Sequence, residues 1–193
     1  MTNLEKLYKQ IEEKAEKDNV PILHKDSRQI LISLVALVAN AKILEIGTGI
    51  GYSGLLMLDN APNSTLITID KRKDRFLQAA QNFKKSGFMD RVKMLNTDAS
   101  DFLKSCNQKF DFIFFDAAMY KYPDMFLEAK KVLNKNAVMV FDNVLKLERT
   151  NKTNEAKILQ KVDNLIALIN SDKNFTHTIC NQGEGLCVVK SLS

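Results

Sequence analysis

The residues best suited to chemistry in this sequence are acids that stand where apolar runs end. Five acids have this position: Glu45, Asp70, Asp98, Asp116 and Asp142. If each apolar run is a strand of one parallel sheet, the acids lie at the edge where ligands of open α/β sheets bind. Any one of them could simply cap a helix or end a strand. Five at one edge indicate a shared ligand site.

A glycine-rich stretch follows the first of these apolar runs and predicts a nucleotide-binding turn. Residues 43–54 read ILEIGTGIGYSG, the pattern of a strand that stops, turns tightly and enters a helix. Gly49, Gly51 and Gly54 satisfy the dinucleotide fingerprint G-x-G-x-x-G. A second interpretation takes Gly47, Gly49 and Gly51 as the working glycines, and that pattern suits S-adenosylmethionine.

The residues around these glycines favour S-adenosylmethionine over NAD. Glu45 would repel a pyrophosphate. A pyrophosphate also needs an unobstructed helix N-terminus, and here the helix begins with bulky Tyr52. S-adenosylmethionine carries a sulfonium and an ammonium, which Glu45 can attract directly or through water. Asp70 can accept both hydroxyl protons of an adenosine ribose, but NAD and S-adenosylmethionine share that ribose. An NAD-dependent oxidoreductase therefore stays an alternative.

Beyond residue 41 the sequence alternates five times between predicted strands and helices. This alternation predicts an α/β fold with a Rossmann-like, doubly wound, mostly parallel sheet joined by right-handed crossovers. Two last apolar runs flank the turn sequence NQGEG at 181–185. They predict an antiparallel C-terminal hairpin that completes a seven-stranded sheet.

Accessory helices are predicted before the sheet. Apolar residues at helical spacing indicate an amphipathic helix over 3–17. A second helix is capped by Asp26 or Ser27 and runs to about Ala39. The apolar faces of these helices could pack within the chain or across two chains.

The length of the chain and its continuous pattern predict one domain over 1–193. Within it, the N-terminal helices occupy 1–40 and the Rossmann-like core occupies 41–193. No apolar run is long enough to span a bilayer, and the charged N-terminus has no signal-peptide core, so we expect a cytoplasmic protein without membrane contact. A net charge of +5 and a pI of about 9.0 permit a polyanionic partner such as RNA.

Cysteine and histidine give no sign of a metal site. Cys106, Cys180 and Cys187 are an odd number without C-x-x-C spacing, which argues against structural zinc and favours free thiols. His24 and His177 stand far apart in the sequence.

Several segments together resemble the cation-dependent O-methyltransferases, the family of the catechol and caffeoyl-CoA enzymes. The segments are ILEIGTGIGYSG, TIDK, DRVKMLNTDA, FDFIFFDAAMYKY and VFDNVL. The sequence looks closest to the bacterial branch that methylates 5-hydroxyuridine in tRNA, which the segments NVPILHKDSRQIL and GEGLCVVK also resemble. The resemblance covers nearly the whole chain.

The resemblance implies a divalent cation, usually Mg²⁺, held by Asp116, Asp142 and Asn143. Two carboxylates and an amide oxygen are hard ligands that suit magnesium. It also implies a cofactor site for S-adenosylmethionine, in which Asp70 binds the ribose and the segment around Leu23 covers the methionine end. The other cofactor residues it implies are Gly47, Gly49, Gly51, Ser53, Asp98, Ala99 and Asp116, to which the charge argument adds Glu45.

One departure from the family concerns the general base. The family usually has a lysine three residues after the first metal aspartate, where this chain has Met119. Lys121 could act in its place, metal activation of the acceptor could suffice, or efficient catalysis could be lost. A second departure is the absence of glycine from VLKLERTNK, which follows Asp142 and Asn143.

The expected activity is Mg²⁺-dependent methylation of 5-hydroxyuridine at the tRNA wobble position to 5-methoxyuridine. One alternative is the same chemistry on a small catechol-like or acyl-CoA acceptor. An alternative of another class is a non-catalytic cofactor-binding module. The resemblance further implies a homodimer, with the N-terminal helices covering the active site.

Overall fold

Two helices precede an alternation of strands and helices in the computed structural model, which describes residues 1–145 and 152–192. The helices are α1 Asn3–Lys17, α2 Lys25–Ala36, α3 Tyr52–Asn60, α4 Lys73–Ser86, α5 Ala99–Ser105, α6 Tyr122–Ala129 and α7 Lys152–Ser171. The strands are β1 Lys42–Ile46, β2 Thr65–Ile69, β3 Val92–Leu95, β4 Phe110–Phe115, β5 Leu133–Asp142, β6 Phe175–Cys180 and β7 Leu186–Ser191. Short 3₁₀ turns cover Met89–Arg91, Met119–Lys121 and Lys130–Val132.

The described strands form one seven-stranded sheet in the order β3-β2-β1-β4-β5-β7-β6. Strands β1 to β5 pair in parallel, and β7 pairs antiparallel with both β5 and β6. The predicted Rossmann-like fold with its C-terminal hairpin is therefore confirmed. The strand order reverses between β1 and β4, and such a switch point opens a crevice beyond the carboxyl ends of the strands.

Register aligns these carboxyl ends. Ile46, the last residue of β1, stands opposite Ile69 of β2 and Phe115 of β4. The residues that follow the three strands therefore begin at the same level of the sheet edge. Asp70 and Asp116 lie there on either side of Gly47.

Helices cover both faces of the sheet, as a mostly parallel sheet requires. One core packs α1, α2, α3 and α4 against one face, and the other core packs α6 and α7 against the opposite face. In the second core the rings of Phe115 and Phe141 stack 4.2 Å apart at the ends of β4 and β5. The Tyr122 ring packs against both, 6.2 Å from Phe115 and 5.2 Å from Phe141 between ring centroids.

The N-terminal helices pack within the chain. Helix α1 buries Leu7, Ile11 and Ala15. Glu12 on the same helix accepts hydrogen bonds from Arg28 Nη2 at 2.6 Å and from Tyr52 OH at 2.5 Å. These bonds join α1 and α2 to the helix that follows the glycine loop.

The predicted bounds of the second helix are wrong at both ends. Helix α2 begins at Lys25 because His24 is its N-cap: Nδ1 of His24 accepts a hydrogen bond from the Asp26 amide at 3.3 Å. Ser27 is buried inside the helix, and the helix ends at Ala36 rather than near Ala39. Among the described residues, no helix has the length and apolar content needed to cross a membrane.

Candidate functional site

Two neighbouring cavities lie at the switch point of the sheet. The smaller has a volume of about 100 Å³ and the larger about 320 Å³. The linings of the two cavities share six residues, which are Pro21, Gly47, Asp70, Arg75, Asp116 and Asn143. Four of the five predicted acids, Asp70, Asp98, Asp116 and Asp142, therefore line these cavities, although they follow separate strands.

The glycine loop forms the floor between the cavities. Gly47 has φ +103°, and a Cβ atom there would lie 1.9 Å from the carbonyl oxygen of Asp116. Gly49 and Gly51 also have positive φ, whereas a Cβ on Gly54 inside α3 would lie 2.9 Å from Leu66 and Phe83 side-chain atoms. The close approach of Asp116 thus requires glycine at position 47, and the packing of α3 on the sheet requires it at position 54.

Asp70 connects the glycine loop to the start of α4. Its Oδ2 atom accepts a hydrogen bond from the Gly49 amide at 2.9 Å, and Oδ1 accepts one from the Arg72 amide at 2.8 Å. A carboxylate has about four acceptor positions, so each oxygen can still accept a ribose hydroxyl. The role of Asp70 in binding ribose stays a prediction.

The candidate metal ligands Asp116, Asp142 and Asn143 line the smaller cavity. Asn143 has φ +65°, a conformation that asparagine tolerates, and its Nδ2 donates to Asp142 Oδ2 at 3.1 Å. Because the amide nitrogen is used in this pair, the amide oxygen is the atom that Asn143 can offer to a cation. The donors are then oxygens alone, which fits a hard cation such as Mg²⁺.

The donor set contains only two carboxylates. Among the described residues, no group of three or more His, Cys, Asp or Glu side chains lies close enough together to hold a metal ion. The amide oxygen of Asn143 is the further donor that the predicted set adds to Asp116 and Asp142 in the smaller cavity. Their assignment to Mg²⁺ stays a prediction.

Tyr122 ties together the strand ends that carry these ligands. Its hydroxyl lies 3.1 Å from the Phe115 carbonyl oxygen and 3.0 Å from the Asp142 carbonyl oxygen, so it can donate to either. The ring is fully buried, and burial raises the pKa of the phenol well above its ordinary value. Tyr122 therefore stays protonated, and its hydroxyl lies between the ends of β4 and β5.

Glu184 is a fourth acid of the smaller cavity that sequence analysis did not identify. It lies in the turn between β6 and β7, and its carbonyl accepts a hydrogen bond from the Leu145 amide at 2.9 Å. The Gly185 carbonyl accepts another from the Val144 amide at 3.1 Å. The sequence GEG indicates a turn at Glu184, but nothing in the sequence places this turn beside Asn143.

Glu45 and Ser53 lie beneath the glycine loop and line neither cavity. Ser53 Oγ donates to Glu45 Oε1 at 2.5 Å, and Thr68 Oγ1 donates to Glu45 Oε2 at 2.6 Å. Burial raises the pKa of Glu45 to about 8, against the lowering effect of the hydrogen bonds from Ser53 and Thr68. In this arrangement the two residues support the loop from below, and their contact with a cofactor stays a prediction.

Leu23 is also placed away from the cavities. It is buried in the core, 4% exposed, while its neighbours Pro21 and Ile22 line the smaller cavity. The predicted segment therefore reaches the site, but through the two residues before Leu23.

Asp98 and Lys121 form an ion pair at the wall of the larger cavity. Lys121 Nζ lies 3.0 Å from Asp98 Oδ2, and Asp98 Oδ1 accepts the Ser100 amide at 2.8 Å as the N-cap of α5. The bond from Lys121 lowers the pKa of Asp98, and the bond to Asp98 raises the pKa of Lys121. Ala99 lines the same cavity. Met119 is 7% exposed and packs in the second core.

A comparison with protein families decides the class of protein. A family model described as O-methyltransferase matches residues 2–192. The chain belongs to the O-methyltransferase family. The predicted enzyme class is thereby confirmed, and the NAD-dependent alternative is set aside.

The chain is similar to a curated O-methyltransferase in sequence and to two solved O-methyltransferases in fold. A curated protein of Mycobacterium sp. (strain KMS), named "Putative O-methyltransferase", is 28% identical over 162 residues, which cover 81% of this chain and 73% of that protein. The O-methyltransferase from Bacillus cereus in complex with SAH has a TM-score of 0.83 at 22% identity, covering 96% of this chain and 90% of that chain. The O-methyltransferase TomG from Streptomyces achromogenes, involved in tomaymycin synthesis and in complex with SAM, has a TM-score of 0.82 at 22% identity, covering 100% of this chain and 91% of that chain.

The buried carboxyl of Glu45 predicts how the stability of this O-methyltransferase depends on pH. The pKa is about 8 in the folded state and near its ordinary 4.5 in the unfolded state, so the unfolded state loses its proton first as the pH rises. Between these two pH values the free energy of unfolding of the wild type should therefore fall. Glu45→Gln should remove most of this fall, a difference on the order of a few kcal/mol at pH 8 relative to pH 5.

Urea unfolding at a series of pH values measures this effect. Glu16→Gln, a substitution of an exposed glutamate on α1, is the matched control and should keep the wild-type slope. Parallel curves for the wild type and Glu45→Gln would show that Glu45 is ionised in the folded protein.

Proposed function

We propose that this family member transfers the methyl group of S-adenosylmethionine to a hydroxyl oxygen of an acceptor held at a divalent cation. The observation that carries the proposal is the shared wall of the two cavities. Gly47, Asp70, Asp116 and Asn143 all line it, so a cofactor in the larger cavity reaches the edge where the acceptor would bind.

The larger cavity is lined by several of the residues predicted to bind the cofactor. Asp70 at one side can bind the ribose, and Asp98 with Ala99 can contact the adenine. The proposal is supported by the bound SAH of the Bacillus cereus enzyme and the bound SAM of TomG, which share this fold. Asp116 lines both cavities, so it belongs to the proposed cofactor residues and to the proposed cation ligands.

Asp116, Asp142 and Asn143 would hold the cation in the smaller cavity. When bound there, a divalent cation lowers the pKa of an acceptor hydroxyl and orients its oxygen. The chain supplies the geometry: the Tyr122 hydroxyl bridges the strand ends, and the bond between Asn143 and Asp142 fixes the amide. The remaining acceleration comes from holding oxygen and methyl at attack distance.

The proton of the acceptor hydroxyl does not pass to residue 119, because Met119 has no basic atom and is buried in the core. Lys121 stays a predicted base. The ion pair favours a different role, because Asp98 raises the pKa of Lys121 and keeps its proton in place at neutral pH. In that role Lys121 closes the wall of the cofactor cavity beside Asp98.

Lys121→Met separates the two roles. The raised pKa keeps Lys121 charged and the lowered pKa keeps Asp98 charged, so the ion pair persists from about pH 6 to about pH 9. We expect Lys121→Met to reduce the affinity for S-adenosylhomocysteine severalfold and to leave the shape of the pH–rate profile unchanged. Transfer rates and calorimetry over that pH range are the measurement, with Lys104→Met on α5 as the control. A loss of rate confined to low pH would identify Lys121 as the base.

The proposed acceptor is the wobble 5-hydroxyuridine of tRNA. Its 5-hydroxyl and 4-carbonyl oxygens are adjacent and can chelate one cation. The net charge of +5 and the exposed Lys71 and Arg72 at the rim of the larger cavity suit a phosphate backbone. The resemblance to the tRNA-modifying branch supports the same acceptor.

A small-molecule acceptor is the second candidate. Its support is TomG, which has the same fold and is involved in tomaymycin synthesis. A catechol-like acceptor offers two adjacent hydroxyl oxygens to a cation in the way that 5-hydroxyuridine offers its own pair. The homodimer and the cytoplasmic location stay predictions.

The test is methyl transfer from labelled S-adenosylmethionine to tRNA that carries 5-hydroxyuridine, with Mg²⁺ and then with a chelator. The same tRNA with unmodified uridine is the control, and catechol is assayed in parallel. Labelling of the hydroxylated tRNA that the chelator abolishes supports the proposal in full. Labelling of catechol alone selects the second candidate, and cofactor binding without transfer to either supports the non-catalytic module.

A further inference from the structure

Arg75 is a cation that the proposed chemistry does not use. It lies in the first turn of α4, directly after the strand end that carries Asp70, and it lines both cavities. The side chain is half-buried. Its Nε atom is buried and has no hydrogen-bond partner among the described residues.

The other described cations of these cavities are in ion pairs or exposed to solvent. Arg72 lies 2.7 Å from Asp74, and Lys121 lies 3.0 Å from Asp98. Lys71 is exposed and lines only the larger cavity. Within the described residues, Arg75 is thus the cation that lines both cavities, and it makes no ion pair with a carboxylate there.

A buried guanidinium donor without an acceptor is unfavourable unless a ligand supplies one. The planar fork of arginine matches two oxygens of a carboxylate or a phosphate. The rest of the smaller cavity is acidic, with Asp116, Asp142 and Glu184 in its wall. An anionic group that enters this crevice therefore has Arg75 as its charge partner.

We propose that Arg75 binds an anionic oxygen group, a carboxylate or a phosphate, of a ligand that lies across the two cavities. The inference rests on the proposed function, because that function brings two such groups to the site. One is the carboxylate of the cofactor's methionine portion. The other is a phosphate of a nucleotide acceptor.

The test compares ligands that differ in these groups. Binding of S-adenosylhomocysteine, 5′-methylthioadenosine and uridine 5′-monophosphate is measured by calorimetry for the wild type, Arg75→Met and Arg75→Lys. 5′-Methylthioadenosine keeps the adenosine and lacks the amino-acid portion. Lys73→Met is the control, because Lys73 is exposed on the same turn of α4 and lines neither cavity. Thermal unfolding checks that each variant is folded.

We expect Arg75→Met to lose about 10- to 100-fold in affinity for the ligand that carries the anionic group, with partial recovery in Arg75→Lys. A loss for S-adenosylhomocysteine with unchanged 5′-methylthioadenosine identifies the cofactor carboxylate. A loss for uridine 5′-monophosphate with unchanged S-adenosylhomocysteine identifies a phosphate.

Equal losses for S-adenosylhomocysteine and 5′-methylthioadenosine, or no loss for any ligand, would overturn the inference. Failure of the proposed function is a separate result. In that case the wild type does not bind S-adenosylhomocysteine at all. The role of Arg75 is then decided by the measurement with uridine 5′-monophosphate alone.

Discussion

Gly47→Ala should lower the free energy of unfolding by about 4 kcal/mol and abolish binding of S-adenosylhomocysteine. The new Cβ would lie 1.9 Å from the Asp116 carbonyl oxygen, and the backbone has φ +103°, which alanine rarely adopts. The Asp116 amide is bonded to the Ile46 carbonyl at 2.8 Å, so β4 cannot move away without breaking the sheet. Relief of the clash therefore moves Asp116, the residue shared by both cavities.

Gly49→Ala is the matched control for this prediction. Gly49 lies in the same loop at φ +51°, and a Cβ there meets no atom within 4 Å. This variant should lose only about 1 kcal/mol, the cost of the left-handed conformation. Urea unfolding and calorimetry measure both variants. Similar losses at the two positions would show that backbone conformation, and not the approach of Asp116, constrains the loop.

Asp142→Asn should reduce methyl transfer on the order of a thousandfold, because a bound cation supplies several kcal/mol of activation. Asparagine keeps the shape of the side chain and removes the charge that attracts the cation. The variant should also lose binding of Mn²⁺, measured by electron paramagnetic resonance without any substrate. Binding of S-adenosylhomocysteine should persist, because Asp142 lines the smaller cavity and is absent from the wall of the larger one.

Asp90→Asn serves as the control, since Asp90 is an exposed acid on the turn before β3. It should change neither Mn²⁺ binding nor transfer. Full Mn²⁺ binding by Asp142→Asn would remove Asp142 from the cation site. A loss of folding in Asp142→Asn, seen by thermal unfolding, would instead assign the residue to the structure of the sheet edge.

The succession of strands and helices along the chain could be predicted from the sequence, because the signals that mark each element are local. The alternation of apolar runs and helical periodicity needs only neighbouring residues, and the right-handed crossover then leaves few topologies. The same rule places Asp70, Asp116 and Asp142 at one edge, and the structure brings all three to the wall of one cavity. The N-cap of α2 could not be predicted, because the capping residue is a histidine whose ring accepts the backbone amide. Histidine is not among the residues preferred at this position.

The environment of single side chains could not be predicted in this way. Glu45 was interpreted as a charge for a cationic ligand, yet it is 0% exposed and bonded to Ser53 and Thr68. Glu184 and Asp142 are distant in the sequence, and only the antiparallel pairing of β5 with β7 brings the turn to the cavity. The part of VLKLERTNK that spans 146–151 lies outside the described residues, so its effect on the acceptor stays a prediction.

The sequence by itself determined which residues follow the carboxyl ends of the strands and which family the chain resembles, because the succession of strands along the chain and the spacing of the motifs are local patterns. Only the tertiary structure decided which of those residues face a cavity, which are paired, and which are buried. Lys121 faces Asp98, Met119 enters the core, and Arg75 lines both cavities. The direction and partner of a side chain depend on segments that folding brings together, and no local pattern encodes them.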